Sequence, residues 1–309
     1  SRTTSVGAPQ KQIIPLRVKA TGETSLLLVY RRPFELDESI NRRILLNGSN
    51  IRDFADLSDP SAVVESTAPP EDESKDISQD EGALESLSVL EGLPTSFDWR
   101  DQDKITAVRN QHSCGSCWAF ATVATMEGAM LVQGNGPNVD LSEQFLISCN
   151  QSGWSCNGGW RAHPYHQSTL GTNQTKAGAV LEADFPYINA NGTCTTSYNH
   201  PYKIASWSYV DGYNIPSETA IKQAIYTYGP VTVSVCAGSA FSAYTGGVFS
   251  TDESSSCGSY LTNHAVVLVG WNDSEGTWIV KNSWGTYWGE SGYMRIKRTV
   301  SNIGYAATY

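Results

Sequence analysis

Residues 111–120 read QHSCGSCWAF, and the position of Cys117 within them decides how the rest of the chain is read. The residues that follow, WAFATVATMEGAMLVQ, set Phe120, Val123, Ala124, Met130 and Leu131 on one apolar stripe at helical spacing, and Gly134 stops the pattern. Cys117 therefore stands in the first turn of a predicted helix. The unpaired N–H groups and partial positive charge of a helix N-terminus favour thiolate over thiol. A reactive nucleophile is one reading of such a cysteine; a small buried hydrophobe is the other. Cys114 and Cys117 also make a C-x-x-C pair, but no strand precedes it as a thioredoxin-like redox site requires. Zinc ligation by Cys114, Cys117, Cys149 and Cys156 is opposed by the spacing of the second pair.

Read with the rest of the chain, QxxCGSCW resembles the active-site segment of papain-like cysteine peptidases. CNGG (156–159), NHAV (263–266) and KNSWG (281–285) follow in that family's order, and FDWR (97–100) resembles its mature N-terminus. The resemblance implies that Cys117 attacks the scissile carbonyl and that His264 pairs with its thiolate and protonates the leaving amine. Asn282 would orient the imidazole, Trp284 would shield that hydrogen bond from water, and Gln111 would point its amide at the developing oxyanion. Gly158 and Gly159 would let substrate backbone pair as an added strand. By the same alignment Trp160, Arg161, Ser234, Thr262, Ala265 and Gly304 form the pocket for the residue two before the cut, and Trp288 joins the substrate-binding set. That pocket is expected to give a mainly apolar preference, with Arg161 at its entrance admitting acids.

The implied fold is α+β, the papain-like two-lobe arrangement of a helical lobe and an antiparallel β-barrel-like lobe with the cleft between them. Asp140 and Glu143 in DLSEQFLISC predict a reciprocal cap opening a second helix, and a third helix is expected after CNGG. VTVSV, HAVVLVGW, TWIVKNSW and GYMRIKR read as strands.

Seven cysteines are an odd count, which suggests three pairs and one free thiol, Cys117. The resemblance pairs Cys114 with Cys156 and Cys149 with Cys194. The family's usual third bridge ends near the C-terminus, where VSNIGYAATY has no cysteine, so Cys236 pairs with Cys257 by elimination. Disulfides imply an oxidising compartment, either secreted or lysosomal and vacuolar. Sequons at Asn47, Asn150, Asn173, Asn191 and Asn272 are compatible with a glycoprotein on that route.

All seven cysteines and all nine tryptophans lie from Leu93 onward, so the chain divides into 1–92 and a peptidase-like 93–309. Residues 12–32, QIIPLRVKATGETSLLLVYRR, suggest a β-hairpin, and 37–46, DESINRRILL, a short helix. The stretch 58–92 gathers acids, proline and serine, as an exposed linker does. By position 1–92 resembles a zymogen's proregion, the expected inhibitor of the cleft, although the long helical motif of the family's common proregion is missing. Its carboxylates suggest release at acid pH.

A net charge of −10 argues against nucleic acid and anionic membrane surfaces as partners, and the longest apolar run, SLLLVY, is too short to span a bilayer. His163 and His166 are expected on a solvated surface rather than at a metal. The sequence thus predicts a monomeric, cofactor-free cysteine endopeptidase acting on polypeptides, with a catalytically silent papain-fold scaffold as the alternative. Endopeptidase action is favoured because the stretch from Cys156 to Cys194 leaves little room for an occluding insertion.

Overall fold

The computed structural model describes residues 24–30, 40–46, 92–134 and 139–309. Strands β1 (Thr24–Tyr30) and β2 (Ile40–Leu46) pair antiparallel, with Thr24 opposite Leu46 and Tyr30 opposite Ile40, in a unit distinct from the one holding the rest of the described chain. The helix expected over 37–46 is therefore corrected to a strand over Ile40–Leu46. A short run does not fix its own period, and here pairing with the preceding β-rich run decides it. The first run of the expected 12–32 hairpin and the acidic 58–91 stretch lie outside the described residues.

In the larger unit, helix α1 (Cys117–Val132) stands between a helical half and a sheet half. The helical half adds α2 (Glu143–Cys149) and the short α3 (His163–Gln167), and its core gathers Trp118, Val123, Met126, Leu141, Phe145 and Val180. On the other side, α4 (Glu218–Tyr228) and the single turn α5 (Ser239–Ser242) accompany the strands. These are β3 (Ser96–Asp98), β4 (Val231–Val235), β5 (Val248–Phe249), β6 (His264–Asn272), β7 (Thr277–Lys281), β8 (Tyr293–Lys297) and β9 (Tyr305–Thr308). Their order is β5-β8-β7-β6-β4-β9, with β3 also on β6.

The α+β, two-lobe expectation holds. In detail the sheet is open rather than closed into a barrel, and β5 runs parallel to β8. Strand β6 is central and buried from His264 to Trp271, which is why HAVVLVGW reads as one apolar run rather than an alternation.

Two local expectations change. Helix α1 is not amphipathic with a single stripe: residues Trp118–Val123 and Thr125–Gly128 are all buried. Its polar residues are satisfied internally, Thr125 Oγ1 with Thr232 Oγ1 at 2.6 Å and Glu127 with Thr106 Oγ1 at 2.6 Å and the Leu141 N–H at 2.9 Å. The helix is wedged between both halves, so Ala121, with Ala124 and Cys117 beside it, packs on Ala265, Val267 and Ile279 at the seam. The cap of α2 is Ser142, whose Oγ accepts from the Phe145 N–H at 2.9 Å, and not Asp140, which pairs with Arg109 at 2.5 Å.

Candidate active site

The first residue of α1 and the first residue of β6 meet at that seam: Cys117 and His264 line the same cleft, and the imidazole acts electrostatically on the thiol. Each side chain is placed by the start of a rigid element, not by a loop tip. Burial pushes the Cys117 thiol up, but the charge and hydrogen bond of His264, with the backbone N–H groups of Ala265 and Trp118, outweigh it and leave the thiol below its ordinary range. The other ring nitrogen of His264, Nε2, lies 2.8 Å from Asn282 Oδ1. An amide oxygen only accepts, so Nε2 carries the proton and the remaining nitrogen faces the sulfur. Asn282 Oδ1 also accepts the Ser283 N–H at 2.8 Å, and its Nδ2 is buried without a partner among the described residues. Trp284 covers the pair, its ring 4.7 Å from the imidazole, while Phe241 packs edge-on against both.

Gln111 is held at several points. Its Nε2 donates to Cys114 O at 2.9 Å, its Oε1 accepts from Ser283 Oγ at 2.6 Å, and its backbone oxygen accepts from Tyr187 OH at 2.7 Å. One amide proton is thereby spent and the second is free, and Gln111 lines the same cleft as Cys117 at the N-terminus of α1. A nucleophilic thiolate, a proton carrier and two N–H donors around one point can perform acyl transfer.

These groups line a cleft of about 310 Å³. Gly158, Gly159 and Trp160 form one wall, and Ser234, Thr262 and Ala265 the facing one. The two glycines differ. Gly158 has φ 124° and nothing near the place of a Cβ, so it is open to an approaching backbone. A Cβ on Gly159 would come within 2.5 Å of the Trp118 ring, so this glycine serves packing. The Cys114–Cys156 disulfide and the Gly115 N–H on Cys156 O at 2.8 Å tie the glycine wall to the cysteine segment. Further disulfides join Cys149 to Cys194 and Cys236 to Cys257, and Cys117 is the free cysteine among the described residues.

Arg161 is not at the entrance of its pocket. It is 3% exposed, and its Nη2 donates to Ser234 Oγ and Ala306 O, each at 2.9 Å. Ser234 and Thr262 line the same cleft as Trp160 and Ala265, so hydroxyl and apolar groups share its walls. Trp288 and Gly304 fall outside the cleft lining. Trp288 stands behind Trp284 and on Phe241, and a Cβ on Gly304 would meet Ile221. His163 and His166, expected at a solvated surface, are buried, with burial pushing them down to about 3 and about 4 respectively.

Sequence reasoning missed Ser283, Tyr187, Phe241 and Asn263. Ser283 lies inside KNSWG and Asn263, which lines the cleft, inside NHAV, so those motifs held a signal for them; Tyr187 and Phe241 sit in stretches with no distinguishing pattern.

A model described as papain family cysteine protease matches residues 93–309. The cysteine proteinase COT44 of Brassica napus is 38% identical over 220 residues, 69% of this chain and 62% of that protein. Fruit bromelain of Ananas comosus is 37% identical over 218 residues, 69% of this chain and 57% of that protein. The chain thus spans about three fifths of the length of these curated relatives. The structure of the digestive procathepsin L2 proteinase from Tenebrio molitor larval midgut aligns with a TM-score of 0.61 and 33% identity, over 70% of this chain and 68% of that one.

Proposed function

This chain belongs to the papain family of cysteine proteases, and we propose that it is a cysteine endopeptidase working through Cys117 and His264. The observation that carries the reading is the line Cys117, His264, Asn282, in which a thiol drawn below its ordinary range faces an imidazole whose far nitrogen is held at 2.8 Å. The Cys117 thiolate adds to the scissile carbonyl carbon, and the oxygen takes the negative charge between the Cys117 N–H and Gln111 Nε2. Collapse breaks the C–N bond, His264 gives its proton to the departing amine, and a thioester remains. Water, deprotonated by His264, then releases the acid and restores the thiol. Asn282 keeps the ring in register through both proton transfers. No metal or cofactor enters these steps.

The substrate lies extended along the cleft with its backbone against Gly158. Residues 1–92 serve as the proregion and 93–309 as the peptidase. Acid pH, by protonating the carboxylates of 58–92, promotes the proregion's release. Three disulfides support a secreted or lysosomal or vacuolar location, and no helix among the described residues is long and apolar enough to cross a membrane. Of the sequons, Asn150 spends its Nδ2 on Leu146 O, Ile147 O and Trp154 O, which disfavours a glycan there.

The test is hydrolysis of an internally quenched peptide by the full chain after incubation at pH 4, against Cys117→Ala. Cleavage by the parent and none by the variant is expected. No cleavage by either, with Cys117 unreactive, would leave the silent scaffold.

A further inference from the structure

The cleft contains a buried cation that the acyl-transfer steps do not use. Arg161 lines the cleft next to Trp160 and opposite Thr262 and Ala265, yet no described carboxylate lies within ion-pair distance of it. Its donors are only partly engaged. Nε–H donates to Ala306 O at 3.2 Å, and Nη2 to Ser234 Oγ and Ala306 O at 2.9 Å, with a longer contact to Tyr305 O. Among the described residues Nη1 has no acceptor. The Trp160 ring lies 4.8 Å from the guanidinium carbon, and Trp160 is itself fixed by Nε1–H on Tyr209 OH at 2.9 Å. The guanidinium is thus locked in place by backbone carbonyls of β9, a serine and an indole face, with one nitrogen unspent.

A charge taken out of water without a counter-ion is unfavourable, and a group that supplies the missing charge on binding relieves it. A planar fork with an unused nitrogen fits a carboxylate better than any neutral side chain does. Burial lowers the guanidinium to about 10, which still leaves it protonated throughout the working range of a thiol peptidase.

We propose that Arg161 makes this pocket a carboxylate receptor, so that the enzyme prefers substrates with glutamate or aspartate two residues before the cut. This rests on the peptidase reading above and names its substrate class. The pocket's hydroxyls, Ser234 and Thr262, supply donors for the second carboxylate oxygen. Lysine at that position meets like charge and is rejected.

The experiment measures kcat/KM of the acid-treated full chain on four peptides differing only at that residue, Glu, Gln, Leu and Lys, and repeats it with Arg161→Gln and Arg161→Lys. The expected result is Glu over Gln by about tenfold or more, as for a site whose buried polar group is left unpaired by the wrong substrate, with Lys poorest. Arg161→Gln should bring the Glu to Gln ratio near one, and Arg161→Lys should retain part of it. The parent's ratio decides even if a variant does not fold. An arginine that only ties β9 to the helical half would give equal Glu and Gln rates, or Leu far ahead of both, and would overturn the proposal while leaving the peptidase reading intact. If none of the four is cut and Cys117 does not label, the peptidase reading falls and this one with it.

Discussion

At the seam, the reacting groups stand at the starts of two rigid elements, and most polar atoms there have named partners inside the fold: His264 on Asn282, Gln111 on Cys114 and Ser283. A few residues along the same cleft, Arg161 is equally buried but has an unspent nitrogen and no carboxylate beside it among the described residues. Apart from Asn282 Nδ2 and one Gln111 amide proton, the seam is paired without substrate, whereas the pocket's cation has no carboxylate beside it among the described residues. A self-satisfied constellation is preorganised for chemistry that is the same for every peptide bond, whereas an unsatisfied one carries discrimination between substrates.

Substitutions should divide the same way, seam changes acting on rate and pocket changes on choice. The largest effect is expected from Cys117→Ala, a loss of about 10⁶ in kcat, as for the nucleophile of a triad. Gln111→Ala should lower kcat by about 10²–10³ with little change in KM, because an oxyanion donor acts in the transition state. A fall confined to KM would move Gln111 to ground-state binding. Asn282→Ala, which frees the imidazole, should cost about 10² in kcat/KM for all peptides alike. A loss that depends on the residue two before the cut would blur the division. Arg161→Gln should do the opposite, changing the ratio between peptides by about tenfold.

The smallest effect lies beneath the seam and concerns stability. Burial, together with Glu127, Glu182 and Asp140, raises the Glu143 carboxyl well above its ordinary 4.5. Below about 4.5 both folded and unfolded forms are protonated and the group's contribution is fully present. As pH rises, the unfolded chain ionises first, so stability is lost until the folded carboxyl ionises as well. Glu143→Gln should therefore raise the melting temperature by about 2–4 °C at pH 7 and not at pH 4, if the penalty is on the order of 1 kcal/mol. An equal shift at both pH values would mean that packing, not charge, is responsible. Lys281 is pushed down to about 8 by burial, with Glu127 and Glu143 holding it up, so in the parent it titrates above this window.

Much of the seam was legible because its residues lie in short motifs, with their neighbours in sequence also their neighbours in space. QHSCGSCW contains both Gln111 and Cys117, and KNSWG contains Asn282 and the covering Trp284. The pocket was less legible because Arg161 is defined by Ser234 and Ala306, partners far along the chain, so nothing local distinguishes a buried arginine from one at a rim. The same limit explains α1, where Thr122, Thr125 and Glu127 lie outside the apolar stripe yet are buried, satisfied internally by Trp118 O, Thr232 and Thr106. In DLSEQF two cap signals overlap, Asp140 to Glu143 and Ser142 to Phe145, and tertiary pairing of Asp140 with Arg109 selects the second. Ile40–Leu46 shows the remaining case, a run whose strand identity comes from its partner.

The most direct measurement is intact-mass labelling of the full chain with an epoxysuccinyl thiol reagent, before and after incubation at pH 4, followed by peptide mapping. The account predicts one adduct, on Cys117, lost in Cys117→Ala and appearing as the mass of about the first 92 residues is removed. An adduct on another cysteine, or a Cys117 that stays unlabelled once the N-terminal segment is gone, would contradict it.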